Sequence, residues 1–185
     1  MQRALIVIDM QRGFDDESVW GRLSNPACEQ NVRALLESFS GAGEPIVVVR
    51  HDSLEPGFGL SPGEPGNALV DTVAEIEPAV LVTKHVNSAF YGDPDLHAWL
   101  RDRGIRELVL CGIQTDMCVE TTARMAGNLG YDVTVAIDAT RTFDLSAEVP
   151  GIGTVSRSAE DLMATTALQL QEGDFARISA TSDLI

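Results

Sequence analysis

Three residues with chemistry of their own stand where apolar runs end. Asp9 follows Leu5-Ile-Val-Ile8, Lys84 follows Val80-Leu-Val-Thr83, and Cys118 lies just past Leu108-Val-Leu-Cys111-Gly112. An acid, an ammonium and a thiol that converge are what nucleophilic sulfur chemistry needs. The thiolate attacks, a nearby lysine favours it, and a carboxylate takes and returns the proton. Taken singly, each has an ordinary reading: an Asp after a strand as a turn residue, a Lys as a solvated charge. For Cys118, Thr115 or Asp116 as helix N-cap would put the sulfur in the first turn of a helix over 117–129. There the backbone N–H groups and the helix dipole favour a thiolate. Cys28, near a helix start, and Cys111, inside a strand run, read instead as small packed hydrophobes.

The elements that must position these residues alternate along the chain. Nearly continuous apolar runs at 4–8, 45–49, 79–82, 107–111 and 133–137 read as strands buried on both faces, with a weaker sixth at 175–178. Helical spacing runs over 31–39, 95–103, 117–129 and 159–170, the first three stopped by Gly41, Gly104 and Gly130. This alternation predicts a three-layer αβα sandwich around a mainly parallel sheet, with residues 1–185 forming one domain. In such a sheet the carboxyl ends of all strands lie on one edge, where Asp9, Lys84 and Cys118 can meet. The Gly- and Pro-rich stretch 53–65 breaks the rhythm and reads as a long loop, either of the kind that builds the site beyond a strand's carboxyl end or a solvated connection of no consequence.

Composition narrows the function. The 185 residues carry 28 acidic and 13 basic side chains, a net charge of −15, which disfavours nucleic acid and anionic membranes as partners. Phe14, Trp20, Phe90 and Tyr91, beyond the first and third strands, are candidates to line a small-molecule pocket, with His51 and Asn87 as polar members. The acidic balance weakly favours a cationic substrate through steering. Three cysteines without framework spacing, and no apolar leader, lead us to expect a reduced, cytoplasmic setting.

Four motifs stand in order: Ile6-Val-Ile-Asp9-Met-Gln11 with Phe14; Lys84 with Asn87-Ser-Ala-Phe90; Gly112-Ile-Gln-Thr-Asp-Met-Cys118-Val-Glu-Thr-Thr-Ala-Arg124; and Asp138-Ala-Thr140. The ordered set resembles the isochorismatase-like cysteine hydrolases over almost the whole chain. The resemblance implies a Rossmann-like sheet of order 3-2-1-4-5-6 and a triad of Cys118 as nucleophile, Asp9 as base then acid, and Lys84 as electrostatic partner. It also implies a cis peptide between Ile113 and Gln114 that turns the Gln114 N–H toward the Cys118 N–H to form an oxyanion hole. The activity it implies is hydrolysis of an amide or lactam C–N bond, such as the lactam of streptothricins, without a cofactor. A homo-oligomer, dimer or tetramer, is the expected assembly. The family's metal-dependent branch carries an Asp-x-His pair after the second strand; here the order is reversed, His51-Asp52. His51, Asp52 and His85 have suitable donors, but adjacent residues on an extended chain point to opposite faces, so no metal is expected. Two alternatives stay open: vinyl-ether hydrolysis, which uses the aspartate without a cysteine, and a catalytically silent binding module.

Overall fold

The computed structural model describes residues 3–185. In chain order it has β1 (Arg3–Ile8), α1 (Glu17–Trp20), α2 (Cys28–Gly41), β2 (Ile46–His51), α3 (Asp71–Ala74), β3 (Val80–Lys84) and α4 (Leu96–Asp102). There follow β4 (Glu107–Ile113), α5 (Glu120–Asn128), β5 (Asp132–Arg141), β6 (Leu145–Val149), β7 (Gly153–Arg157), α6 (Ala159–Glu172) and β8 (Arg177–Ser179). Six strands form one parallel sheet of order β3-β2-β1-β4-β5-β8. The predicted order holds, with β8 as the sixth strand of the sheet.

The continuous apolar runs have a direct cause. Ala4, Ile6 and Ile8 point to one face and pack with Leu96 and Leu100 of α4, Ala123 of α5 and Leu170 of α6. Leu5 and Val7 point to the other and pack with Val32, Leu35, Leu36 and Phe39 of α2. A strand covered on both faces has no polar side to show, so the period-2 alternation disappears from its sequence. Burying the five side chains of β1 at 0–1% exposure contributes on the order of 1.5–3 kcal/mol for each of the larger ones.

Register aligns the strand ends. Ile8 pairs with Gly112, and His51 pairs with Lys84. Gly112 has φ +116°, and a Cβ there would lie 1.9 Å from the Ile8 carbonyl oxygen. Glycine therefore lets β4 press against the end of β1, directly below Asp9. Asp9 itself has φ +50°, a left-handed conformation that aspartate tolerates. Its N–H donates to the Val49 carbonyl at 2.9 Å, while its carbonyl accepts from the Gln11 N–H at 2.8 Å. The chain turns sharply there, immediately after β1.

Between β5 and α6 lies an antiparallel hairpin, β6 with β7, that the apolar pattern does not announce. Most of its residues are exposed, so neither face required an apolar stripe. Among the described residues no helix is long and apolar enough to cross a membrane.

Candidate active site

Lys84 organises the carboxyl edge. Its Nζ donates to Asp9 Oδ2 at 2.5 Å and to Cys118 Sγ at 3.4 Å, and lies 3.3 Å from His51 Nδ1. Lys84 and Asp9 are fully buried, and Cys118 is 7% exposed. The three residues singled out for chemistry are thus brought into contact from β1, β3 and the segment after β4.

Cys118 sits in a five-residue π-helical turn, Thr115–Val119, that leads into α5. Turns of this kind recur at functional sites because they push one residue out of the regular helical path. The expected side-chain cap is not used. Gln114 occupies the N-cap position, and the Thr115 hydroxyl instead donates to Thr140 Oγ1 at 2.8 Å, which donates in turn to the Ile137 carbonyl at 2.8 Å. Asp116 accepts from the Thr142 hydroxyl. These bonds tie the Cys118 turn to Thr140 of β5 and to Thr142 just beyond it, which gives the threonine of the Asp138-Ala-Thr140 motif a structural role. There β5 bulges, so that Leu110 pairs with Val135 but Gly112 with Thr140. The peptide between Ile113 and Gln114 is cis. The N–H groups of Met117 and Val119, on either side of Cys118, both donate to the Gln114 carbonyl, at 3.2 and 3.0 Å.

Electrostatics correct one expectation. Burial and the Asp9 carboxylate push the Cys118 thiol up to about 12, against the pull of Lys84. Desolvation and a like charge outweigh the lysine and the helix end. The balance favours the thiol over the thiolate. Burial also raises Asp9 above the ordinary carboxylate range, with Lys84 opposing. One of its oxygens, Oδ1, is buried without a hydrogen-bond partner among the described residues and is free to receive a proton.

A cavity of about 220 Å³ opens over the sulfur, lined by Phe14, Trp20, His51, Phe58, Leu60, Asn87, Gln114, Met117 and Cys118. Phe14, Trp20, His51 and Asn87 are therefore at the pocket. Trp20 is held by its Nε1–H, which donates to the Gly13 carbonyl at 2.9 Å, and by ring contacts to Phe14 and Phe143 at 4.9 and 5.2 Å. Phe90 and Tyr91 lie elsewhere. The Ala89 N–H donates to Thr122 Oγ1 of α5 at 3.1 Å, which pins their turn to that helix. Phe90 then stacks on Tyr131 in the core, and Tyr91 is 72% exposed. Sequence reasoning missed Phe58, Leu60 and Met117. For the first two a signal was present: they are large apolar residues inside an otherwise polar, Gly- and Pro-rich loop.

The donors considered for a metal do not fit one. Asp52 accepts from Arg50 Nε and Nη2 at 2.8 and 3.0 Å and from Asn67 Nδ2 at 2.9 Å. His85 Nδ1 lies 2.6 Å from the Asp52 carbonyl oxygen. Among the described residues no cluster of His, Cys, Asp and Glu could hold a metal ion.

A parallel α/β sandwich with a buried carboxylate, ammonium and thiol beneath a small apolar cavity is the architecture of a small-molecule enzyme. Residues 3–167 match the family model described as Isochorismatase domain, and the chain belongs to the isochorismatase family of hydrolases. It is 36% identical over 144 residues to the isochorismatase family protein YrdC of Bacillus subtilis, covering 78% of this chain and 76% of that one. It is 33% identical over 179 residues to a streptothricin hydrolase of Streptomyces noursei, covering 95% and 67%. An isochorismatase-family structure from Chromobacterium violaceum superposes with a TM-score of 0.89 at 38% identity, covering 99% of this chain and 91% of that one.

Proposed function

We propose that this hydrolase cleaves the C–N bond of a small amide through a thioester on Cys118. The observation that carries the reading is the Lys84 ammonium, which bridges the Asp9 carboxylate and the Cys118 sulfur at 2.5 and 3.4 Å at the edge of the cavity. Burial and the Asp9 carboxylate hold the thiol up to about 12, which favours the protonated sulfur at neutral pH. Proton transfer to Asp9 is therefore coupled to attack. Sγ bonds to the carbonyl carbon while Asp9 takes the thiol proton, and the N–H groups of Gln114 and Cys118 receive the developing oxyanion. Collapse breaks the C–N bond as Asp9 returns its proton to the leaving nitrogen. Asp9 then deprotonates the water that attacks the thioester, and the acid leaves with the thiol restored. Lys84 holds Asp9 in place and stabilises the anionic sulfur.

At about 220 Å³ the cavity lies below the ~300–1,000 Å³ of drug-sized sites, which favours a compact acyl group. Similarity to streptothricin hydrolase supports a lactam as a second reading. A lactam ring would occupy this cavity, and the rest of a larger, cationic molecule would extend along an outer groove lined by Arg12, Asp16, Trp20 and Phe58. The test is mass spectrometry of the intact protein during turnover of an amide and lactam panel. An adduct of acyl mass on Cys118, absent in Cys118→Ser together with turnover, is expected. Undiminished amide hydrolysis by Cys118→Ala would end the thioester route, whereas turnover of a vinyl ether but of no amide would favour the vinyl-ether alternative, in which cysteine has no part.

A further inference from the structure

His51 lines the cavity, yet the chemistry above leaves it unused. Its position is set with care. Gln11 grips the backbone of His51 from both sides: its Nε2 donates to the His51 carbonyl at 2.9 Å, and its Oε1 accepts the His51 N–H at 2.9 Å. The side chain ends β2 opposite Lys84, whose ammonium reaches Nδ1 at 3.3 Å. An ammonium has three protons and no lone pair, and here its three neighbours are a carboxylate, a sulfur and this imidazole nitrogen. Nδ1 must therefore accept, which places the proton of the neutral ring on Nε2. Nε2 has no hydrogen-bond partner among the described residues, yet it is not among the fully buried unpartnered atoms, and His51 lines the cavity. Burial and Lys84 hold the imidazole down to about 4, with Asp52 and His85 as the other charges that bear on it, so the neutral form persists at working pH.

We propose that the His51 Nε2–H is the specificity-determining donor of this site, selecting amides that carry a hydrogen-bond acceptor, a ring nitrogen or second carbonyl, beside the scissile carbonyl. This rests on the amide-hydrolase reading. The rest of the lining argues the same way: Phe14, Trp20, Phe58, Leu60 and Met117 supply an apolar wall that takes a flat group without choosing among polar substituents. A fixed donor facing an apolar site penalises a substrate that cannot pair with it, because the donor is then left desolvated and unmatched. Lys84 thereby couples catalysis to recognition: one ammonium orients the base, steadies the sulfur and fixes the tautomer of the group that reads the substrate.

Two measurements test this. Nitrogen-detected NMR of the histidine rings in the intact wild-type protein, assigned with His51→Phe, should show His51 neutral with its proton on Nε2 from pH 5 to 8. A proton on Nδ1, or an imidazolium at pH 7, overturns the proposal without any substrate. The second compares kcat/KM for pairs of aromatic primary carboxamides, pyridine rings against their benzene counterparts. Wild type should prefer the acceptor-bearing member at the matching ring position by about ten- to a hundredfold, and His51→Phe should bring that ratio toward one. Acylation of Cys118 without such discrimination in wild type, or a ratio unmoved in His51→Phe, overturns the role of His51 alone. No acylation by any amide overturns both this role and the amide-hydrolase reading.

Discussion

Replacing Asp9 by Asn separates the two things the carboxylate does to Cys118, and they move in opposite directions. Asn preserves shape and hydrogen-bonding capacity but removes the charge that helps hold the thiol up to about 12. It also leaves Lys84 fully buried without its carboxylate partner, with the sulfur 3.4 Å away as the nearest group able to become an anion. A like charge at this range shifts a pKa by about 1–3 units, so the thiol should titrate between roughly 9 and 11. At pH 8 the thiolate fraction then rises about ten- to a thousandfold. Each thiolate is a weaker nucleophile as its pKa falls, with a Brønsted slope of about 0.4–0.5, so the alkylation rate should rise by about 3- to 50-fold. Amide turnover should meanwhile fall by about 10²–10⁴, the usual contribution of a positioned acid–base group. The assay is iodoacetamide labelling at pH 8 with the modified residue located by mass spectrometry, alongside a pH titration of thiolate absorbance. Buried Cys28 and Cys111 serve as internal controls. An Asp9→Asn protein that is folded, alkylates no faster than wild type and shows an unmoved thiol titration would refute the claim that Asp9 is the group that suppresses and then receives the proton.

Two further outcomes follow from the same contacts. Lys84→Met in the Asp9→Asn background isolates the ammonium from its carboxylate: the Cys118 titration should move up by about 1–3 units relative to Asp9→Asn alone, and superimposable titrations would make Lys84 a structural residue only. Gly112→Ala should cost more than about 3 kcal/mol in urea unfolding or abolish folding, since its Cβ meets the Ile8 backbone at 1.9 Å. Gly130→Ala, also at positive φ but with nothing within 4 Å, should cost about 1–2 kcal/mol, and equal losses at the two positions would count against the close β1–β4 approach.

The reach of the sequence follows from which forces act locally. Strand order and the meeting of Asp9, Lys84 and Cys118 were legible because β1 to β5 are each built on a nearly continuous apolar run and a parallel sheet gathers their carboxyl ends on one edge. The β6–β7 hairpin was not, because a ribbon exposed on both faces carries no burial signal. Phe90 and Tyr91 occupy the expected stretch after β3, yet a contact from Ala89 to Thr122, 33 residues away, turns them from the cavity. Side-chain direction in a turn is a tertiary fact.

The thiol shows the same limit in its sharpest form. Lys84, a helix start and a sulfur all point toward a thiolate when read along the chain, because each lowers the pKa and each is visible as a residue type. What raises it is burial and the nearness of Asp9, residues 109 positions away in sequence, and neither is a property of any short segment. On the proposed mechanism that balance sets the order of events: a site that favours a protonated sulfur and buries its base forms the nucleophile only when a carbonyl is present to receive it. On the proposal for His51, the same ammonium, 3.3 Å from Nδ1, leaves the ring its one proton on Nε2. On these two proposals reactivity and selectivity depend on a single buried cation, and a variant that shifts one without the other has to act on His51 or Asp9 rather than on Lys84.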